Sequence, residues 1–200
     1  MKSPAFLIAF LSALLFGAAA PVSKPLLAQL SSFQLAGLLY IGAALGVVVL
    51  LARERKFVLP WRMDRRNTLY LLGSVIFGGI LGPLALLAGL RMASAASVSL
   101  WLNLEMVATA VIGHFIFKDH LTRRSWLAAA GIFAAAVILA AGEGPAGVSA
   151  GLLVLAACVS WGIDNHLTAL IDGITPAQST FWKGLVAGST NLIKVAQVPD

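Results

Sequence analysis

Glu105, Asp164 and Lys183 are full charges set inside otherwise apolar runs, so the chemistry of this sequence is sought there first. Between Arg91 and Lys118, Glu105 is the only full charge. At about 1.5 Å per residue that stretch is long enough to cross a hydrocarbon core of roughly 30 Å, which puts a carboxylate near mid-depth. A charge there costs about 2.5–3.5 kcal/mol on insertion scales and turns to a partner, a protein interior or a wet cavity. Two roles fit Glu105: a partner for a substrate amine or a coupling proton, and a structural carboxylate hydrogen-bonded across a bundle. Helical i, i+4 spacing places Trp101 and Thr109 on its face. Asn103 shares another face with Ala110 and His114, and either lines a cavity or bridges helices. Further on, Asp164 stacks on Thr168 at i, i+4, with Asn165 beside it, and this cluster is expected to line a cavity. Lys183 lies about two turns into the last apolar segment, where it either pairs with Asp164 or binds an anionic group. Glu105, Asn103, Asp164, Asn165 and Lys183 are therefore the candidate substrate or coupling residues. Lys24, between Pro21 and Pro25, reads as a lysine snorkelling to the interface, and His114 and His166 as interfacial.

Other chemistries lack their motifs. The sequence has no His-Glu-x-x-His, no Gly-x-x-x-x-Gly-Lys-Ser/Thr and no Gly-x-Ser-x-Gly. Its one cysteine, Cys158, cannot form an internal disulfide. No catalytic residue, metal or cofactor is expected. An enzyme acting on lipid, with Glu105 and His114 as acid and base, is the alternative class, but nine residues' separation puts those two on opposite helix faces.

The chain is 60% hydrophobic and 11% charged, with a mean hydropathy of +0.92. Soluble domains carry about 25% charged residues, so this is a multi-pass, all-α membrane protein whose first partner is the lipid bilayer. Its net charge of +6 does not argue for nucleic acid, because the cations gather in short loops. Seven apolar segments follow: Pro4 to Leu27, Phe33 to Ala52, Leu69 to Leu90, Met92 to Lys118, Ser125 to Gly142, Val148 to Leu170, and from Pro176 towards Val195. The first, with Ala18-Ala19-Ala20, also has the look of a secretory signal. Apolar sequence continuing past Ala20, with six more spans behind it, favours an uncleaved helix. Gly78 and Gly82 are spaced for close helix approach, and Pro83 can kink the third segment. The loop from Arg53 to Arg66 holds six Lys/Arg and the loop from Lys118 to Arg124 three more. The positive-inside rule then places the N-terminus in the cytoplasm.

Phe16-Gly17 in the first segment and Trp161-Gly162 in the sixth head similar patterns five spans apart. An odd offset inverts the second copy, as in transporters built from inverted repeats. The runs Ser94-Ala95-Ala96-Ser97-Val98-Ser99-Leu100, Leu102-Asn103-Leu104-Glu105 and Phe117-Lys118-Asp119-His120-Leu121-Thr122 carry a family resemblance. So do Trp126, Gly131, Cys158 to Asn165 and Trp182-Lys183-Gly184-Leu185. The chain resembles the EamA-like branch of the drug/metabolite transporter superfamily. Met106 stands where the family usually has proline, Asp119 where it has glutamate, and Tyr40 where an arginine is common, with Lys183 as its second-repeat counterpart. The resemblance implies a bundle of inverted five-helix repeats, complete over residues 1–142 and truncated after about two helices over 143–200. It further implies a permease of the inner membrane, exporting a small metabolite or amphipathic solute by alternating access. Members have ten helices, so the expectation is either the front of a longer protein or a subunit completed by a second half or a homodimer.

Overall fold

The computed structural model describes residues 4–197, and among these every regular element is helical. Helix α1 (Pro4–Leu26) and α2 (Ser32–Leu51) are followed by a 3-10 turn at Pro60–Arg62. The third span is composite: α3 (Arg65–Ser74), a π-helical segment (Val75–Leu81) and α4 (Gly82–Met92). The fourth is broken into α5 (Ala95–Trp101) and α6 (Leu104–Ile116). Helices α7 (Arg123–Gly142), α8 (Gly144–Ala169) and α9 (Pro176–Gln197) complete the described bundle.

Among the described residues six spans are long and apolar enough to cross a membrane, one fewer than the sequence suggested. The seventh, α9, falls short in apolarity because Gln178, Lys183, Asn191 and Lys194 interrupt its run. It packs lengthwise on the second span, α2, and on the π-helical segment. Two boundaries also move. Thr122 caps α7, its hydroxyl accepting from the Ser125 amide at 3.2 Å, so that helix starts at Arg123 rather than Ser125. Gly144, at φ +74°, reverses the chain within a residue, and Pro145 fits the first turn of α8, which begins there and not at Val148.

The core lies where α4, α5 and α8 meet. Trp101, Leu87, Leu90, Val98, Val154 and Cys158 are fully buried, and Trp101 donates its indole N–H to the Ala136 carbonyl of α7 at 3.1 Å. Helix α7 buries no residue; Leu127 and Ile138 are 74% and 73% exposed. Such a surface is stable only against lipid, which is as apolar as leucine itself.

Loop contacts sort the helix ends into two groups. At one end Arg91 donates to the Leu30 carbonyl at 2.6 Å, and Ser97 donates to Glu143. At the other, Glu54 accepts from Thr175 and Gln178, and the Asp172 amide donates to Asn67 at 2.8 Å. Lys24 does not snorkel. Its ammonium donates to the carbonyls of Leu90, Arg91 and Ala93 at 2.5, 3.2 and 2.9 Å, capping the C-terminus of α4 where oxygen atoms lack helical partners. Pro21 lies inside α1 without ending it.

Asp64 caps α3, accepting from the Asn67 side chain and from the amides of Asn67 and Arg66 at 3.2 and 3.1 Å. Those bonds hold its carboxyl below the usual value, the Asn67 side chain contributing most. A depressed carboxyl stabilises the fold above its ordinary range and loses that contribution as pH falls through the folded value. The protection of the Asn67 and Thr68 amides, taken relative to their intrinsic exchange rates, should therefore fall on acidification, and Asp64→Asn should flatten that pH dependence. Equal acid sensitivity in both proteins would refute the cap.

Candidate functional site

Asp164 and Asn165 are neighbours in sequence, but successive helical residues point about 100° apart, and α8 thereby serves two separate polar centres. The sequence grouped these residues as one cluster; the structure divides them.

The first centre is an ion pair. Lys183 of α9 places its ammonium 2.7 Å from both carboxylate oxygens of Asp164. Ser74 and Thr168 donate to the same Asp164 oxygen at 2.5 and 3.0 Å. The side chains are only 16% and 10% exposed. Asp164 was expected to line a cavity; it is buried and neutralised instead. Gly78 and Gly82 make the arrangement possible. A Cβ on Gly78 would run into the Asp164 carboxylate, and one on Gly82 would stand 2.6 Å from the Trp161 indole nitrogen. The close approach read from their spacing is thus made to α8. The π-helical segment that carries Gly78 offers backbone oxygens sideways: Gly78 accepts from the Tyr40 hydroxyl and from Trp161 at 3.1 Å, and Gly79 from Asn191 at 3.4 Å. π-turns of this kind recur at functional positions in helices.

The second centre is a cavity of about 760 Å³ lined by residues of α1, α5, α6 and α8. Its position follows from the break in the fourth span. The Asn103 side chain donates back to the Leu100 carbonyl at 2.9 Å, while the amides of Asn103, Glu105 and Met106 bond three residues back instead of four. Asparagine competes in this way with helical bonding. The break separates the faces that an unbroken helix would share. Trp101 turns into the core, whereas Glu105 and Thr109 face the cavity, so the expected face of three residues keeps two. Glu105 lies in the first turn of α6, where negative charge is favoured by the helix dipole. Asn165 reaches across from α8 and donates to Glu105 at 3.2 Å and to Thr109 at 3.3 Å. Asn103 lines the same cavity and bridges no other helix. Phe16, Leu102 and Met106 supply apolar wall.

Of the five candidates, Glu105, Asn103 and Asn165 meet at the cavity, and Asp164 and Lys183 meet in the ion pair. Asp119 and both interfacial histidines gather at one end of the bundle. His114 contacts the Asp119 carbonyl at 2.9 Å, and His166 stacks on Phe117 with its ring 3.7 Å from the Asp119 carboxylate. Glu105 and His114 are not brought together. Ser74 was missed by sequence reasoning, being unremarkable within an apolar run, and Tyr40 and Trp161 were read there as a departure from the family pattern and a repeat marker, not as site residues. Among the described residues no group of His, Cys, Asp or Glu side chains could hold a metal ion.

The described residues thus form a multi-pass helical bundle with a part-open cavity among its spans, mostly apolar in wall and carrying a few polar side chains. The EamA-like transporter family matches residues 3–141, and the chain belongs to that family. It is 28% identical to a protein of Methanothermobacter thermautotrophicus called an uncharacterized transporter, over 78% of this chain and 50% of that protein. The chain thus spans about half the length of this curated relative. No solved structure matches it.

Proposed function

We propose that this chain works in a secondary transporter that exports a small metabolite or amphipathic solute by alternating access, with the Glu105 cavity as its solute site. The observation that carries this reading is the cavity itself. Between several membrane spans it joins a carboxylate, two asparagines and a threonine to an apolar wall, in a volume within the roughly 300–1,000 Å³ of ordinary ligand sites. In this reading residues 1–142 form a first five-helix repeat and residues 143–200 open a second, inverted one; the family match ending at residue 141 supports that division. A second helical half or a second copy closes the cavity's remaining side.

The distribution of cations supports the orientation. At one end Lys24 and Arg91 are bonded to backbone oxygens and Lys194 is exposed. At the other end Arg53, Arg55, Lys56, Arg62 and Arg65 are exposed. The positive-inside rule assigns that second end, and the N-terminus with it, to the cytoplasm of a cell bounded by this inner membrane.

Inverted membrane vesicles carrying the full protein should accumulate a defined set of amphipathic solutes under an ion gradient, read by mass spectrometry against empty vesicles. Glu105→Gln should lower that accumulation about tenfold or more while leaving the inserted amount unchanged. Wild-type accumulation by Glu105→Gln would remove the carboxylate from the site. Lipid turnover without solute flux would favour an enzyme.

A further inference from the structure

Resting on the transporter reading, we infer that the Glu105 cavity is a site for organic cations, specifically amphipathic primary amines. The first ground is charge balance. Of the charged side chains set within the spans, Asp164 and Lys183 neutralise each other at 2.7 Å, and the Lys24 ammonium is saturated by three carbonyls. Glu105 meets only the neutral amide of Asn165. The cavity therefore carries one negative charge with no protein counter-ion among the described residues. An occupant that brings a positive charge removes the penalty of holding a lone carboxylate away from water.

The second ground is the hydrogen-bond inventory. The Asn165 amide nitrogen is committed to Glu105 and Thr109, and that of Asn103 to the Leu100 carbonyl. What the two asparagines and Glu105 still present is mostly acceptor oxygen, namely the amide oxygens of Asn103 and Asn165 and the second carboxylate oxygen of Glu105, beside one Asn103 N–H and the hydroxyls of Ser99 and Thr109. A primary ammonium has three donors and no acceptor, which complements these oxygens; a carboxylate or phosphate would find the Ser99 and Thr109 hydroxyls but would face the Glu105 carboxylate across the same cavity. Phe16, Leu102 and Met106 cover the other side of the cavity. An aromatic face and a polarisable thioether suit the apolar body of an amine and can stack or re-pack around it. The site is thus shaped for a solute with an ammonium head and a ring-sized apolar part.

Three indoles of similar bulk separate charge from size: tryptamine (cation), tryptophol (neutral) and indole-3-acetate (anion). Equilibrium binding of each to the full protein in nanodiscs should rank tryptamine first, by about tenfold or more over tryptophol, the order expected from one partly buried charge pair. Glu105→Gln should bring tryptamine down to about the tryptophol level. Glu105→Asp, which keeps the charge on a shorter stem, should retain a reduced preference. Equal affinity for all three, no binding of any, or a cation preference that survives Glu105→Gln would overturn the proposal. The measurement does not require transport. Tryptamine bound but never carried across vesicles would leave the cation site standing and remove the transporter reading. Flux of neutral solutes without a cation preference would do the reverse.

Discussion

Lys183→Met is expected to be among the most destabilising single substitutions in this protein, at about 3–5 kcal/mol, because it strands a buried carboxylate. Asp164 is held by Ser74, Thr168 and the ammonium of Lys183, and only the last of these carries charge. Its one-carbon stem gives it no route to water from the interior of α8. The reverse change should cost less. In Asp164→Asn the ammonium of Lys183 sits on a four-carbon stem, in the second turn of α9 from Pro176, and can extend towards the nearby helix end. The double variant Lys183→Met with Asp164→Asn removes both charges and should recover much of the loss of Lys183→Met alone. A coupling above about 1 kcal/mol in a cycle of thermal midpoints, measured in one detergent, marks direct contact. Additive losses would refute it. The cycle also separates structure from transport. Should the double variant insert and keep its midpoint yet lose flux, the pair moves during the transport cycle as well as holding α8 to α9.

Depth was legible in the sequence and direction was not. Hydropathy and length act along a single axis, so Glu105 could be placed mid-span, and six of seven spans followed from run length alone. Which way a residue faces depends on an uninterrupted 3.6-residue period, and this chain breaks that period twice. The turn at Leu102–Asn103 separates Trp101 from Glu105, although i, i+4 spacing had put them on one face. The π-helical segment at Val75–Leu81 widens the helix and changes the face presented beyond it. The Asp164–Lys183 pairing was one of two options open from sequence. Choosing between them needed the packing of α9 against α2 and the π-helical segment, and the arrival of Ser74 from a third span. Lys24 misled for a different reason. A lysine near a helix end does usually snorkel, but here three backbone oxygens of α4 stood within reach.

A small-residue signal that could have been read earlier leads to the second large effect: Gly184-x-x-x-Gly188 on α9, the spacing that lets two membrane helices touch backbone to backbone. A Cβ on Gly184 would lie 2.6 Å from the Tyr40 carbonyl and 3.0 Å from the Ala44 backbone nitrogen. One on Gly188 would lie 2.9 Å from the Ile41 backbone nitrogen. At Gly184 the nearest obstruction is main chain of α2, which cannot rotate aside as a side-chain tip would, whereas at Gly188 the Ile41 side chain stands in the way as well. Overpacking typically costs about 1–3 kcal/mol; here Gly184→Ala should sit at the upper end of that range and Gly184→Leu beyond it. The consequence extends past packing, because Lys183 precedes Gly184. Pushing α9 from α2 draws the ammonium off Asp164 and weakens the ion pair without altering either of its residues. Gly184→Leu should therefore reduce the coupling measured between positions 164 and 183, an effect that a purely local clash would not produce. Gly131→Ala is the matched control. Nothing lies within 4 Å of the added carbon there, and alanine in a helix interior is favoured over glycine by about 1 kcal/mol, so its thermal midpoint should hold or rise. Equal losses at Gly131 and Gly184 would show that helix propensity, not the α2–α9 contact, sets the result.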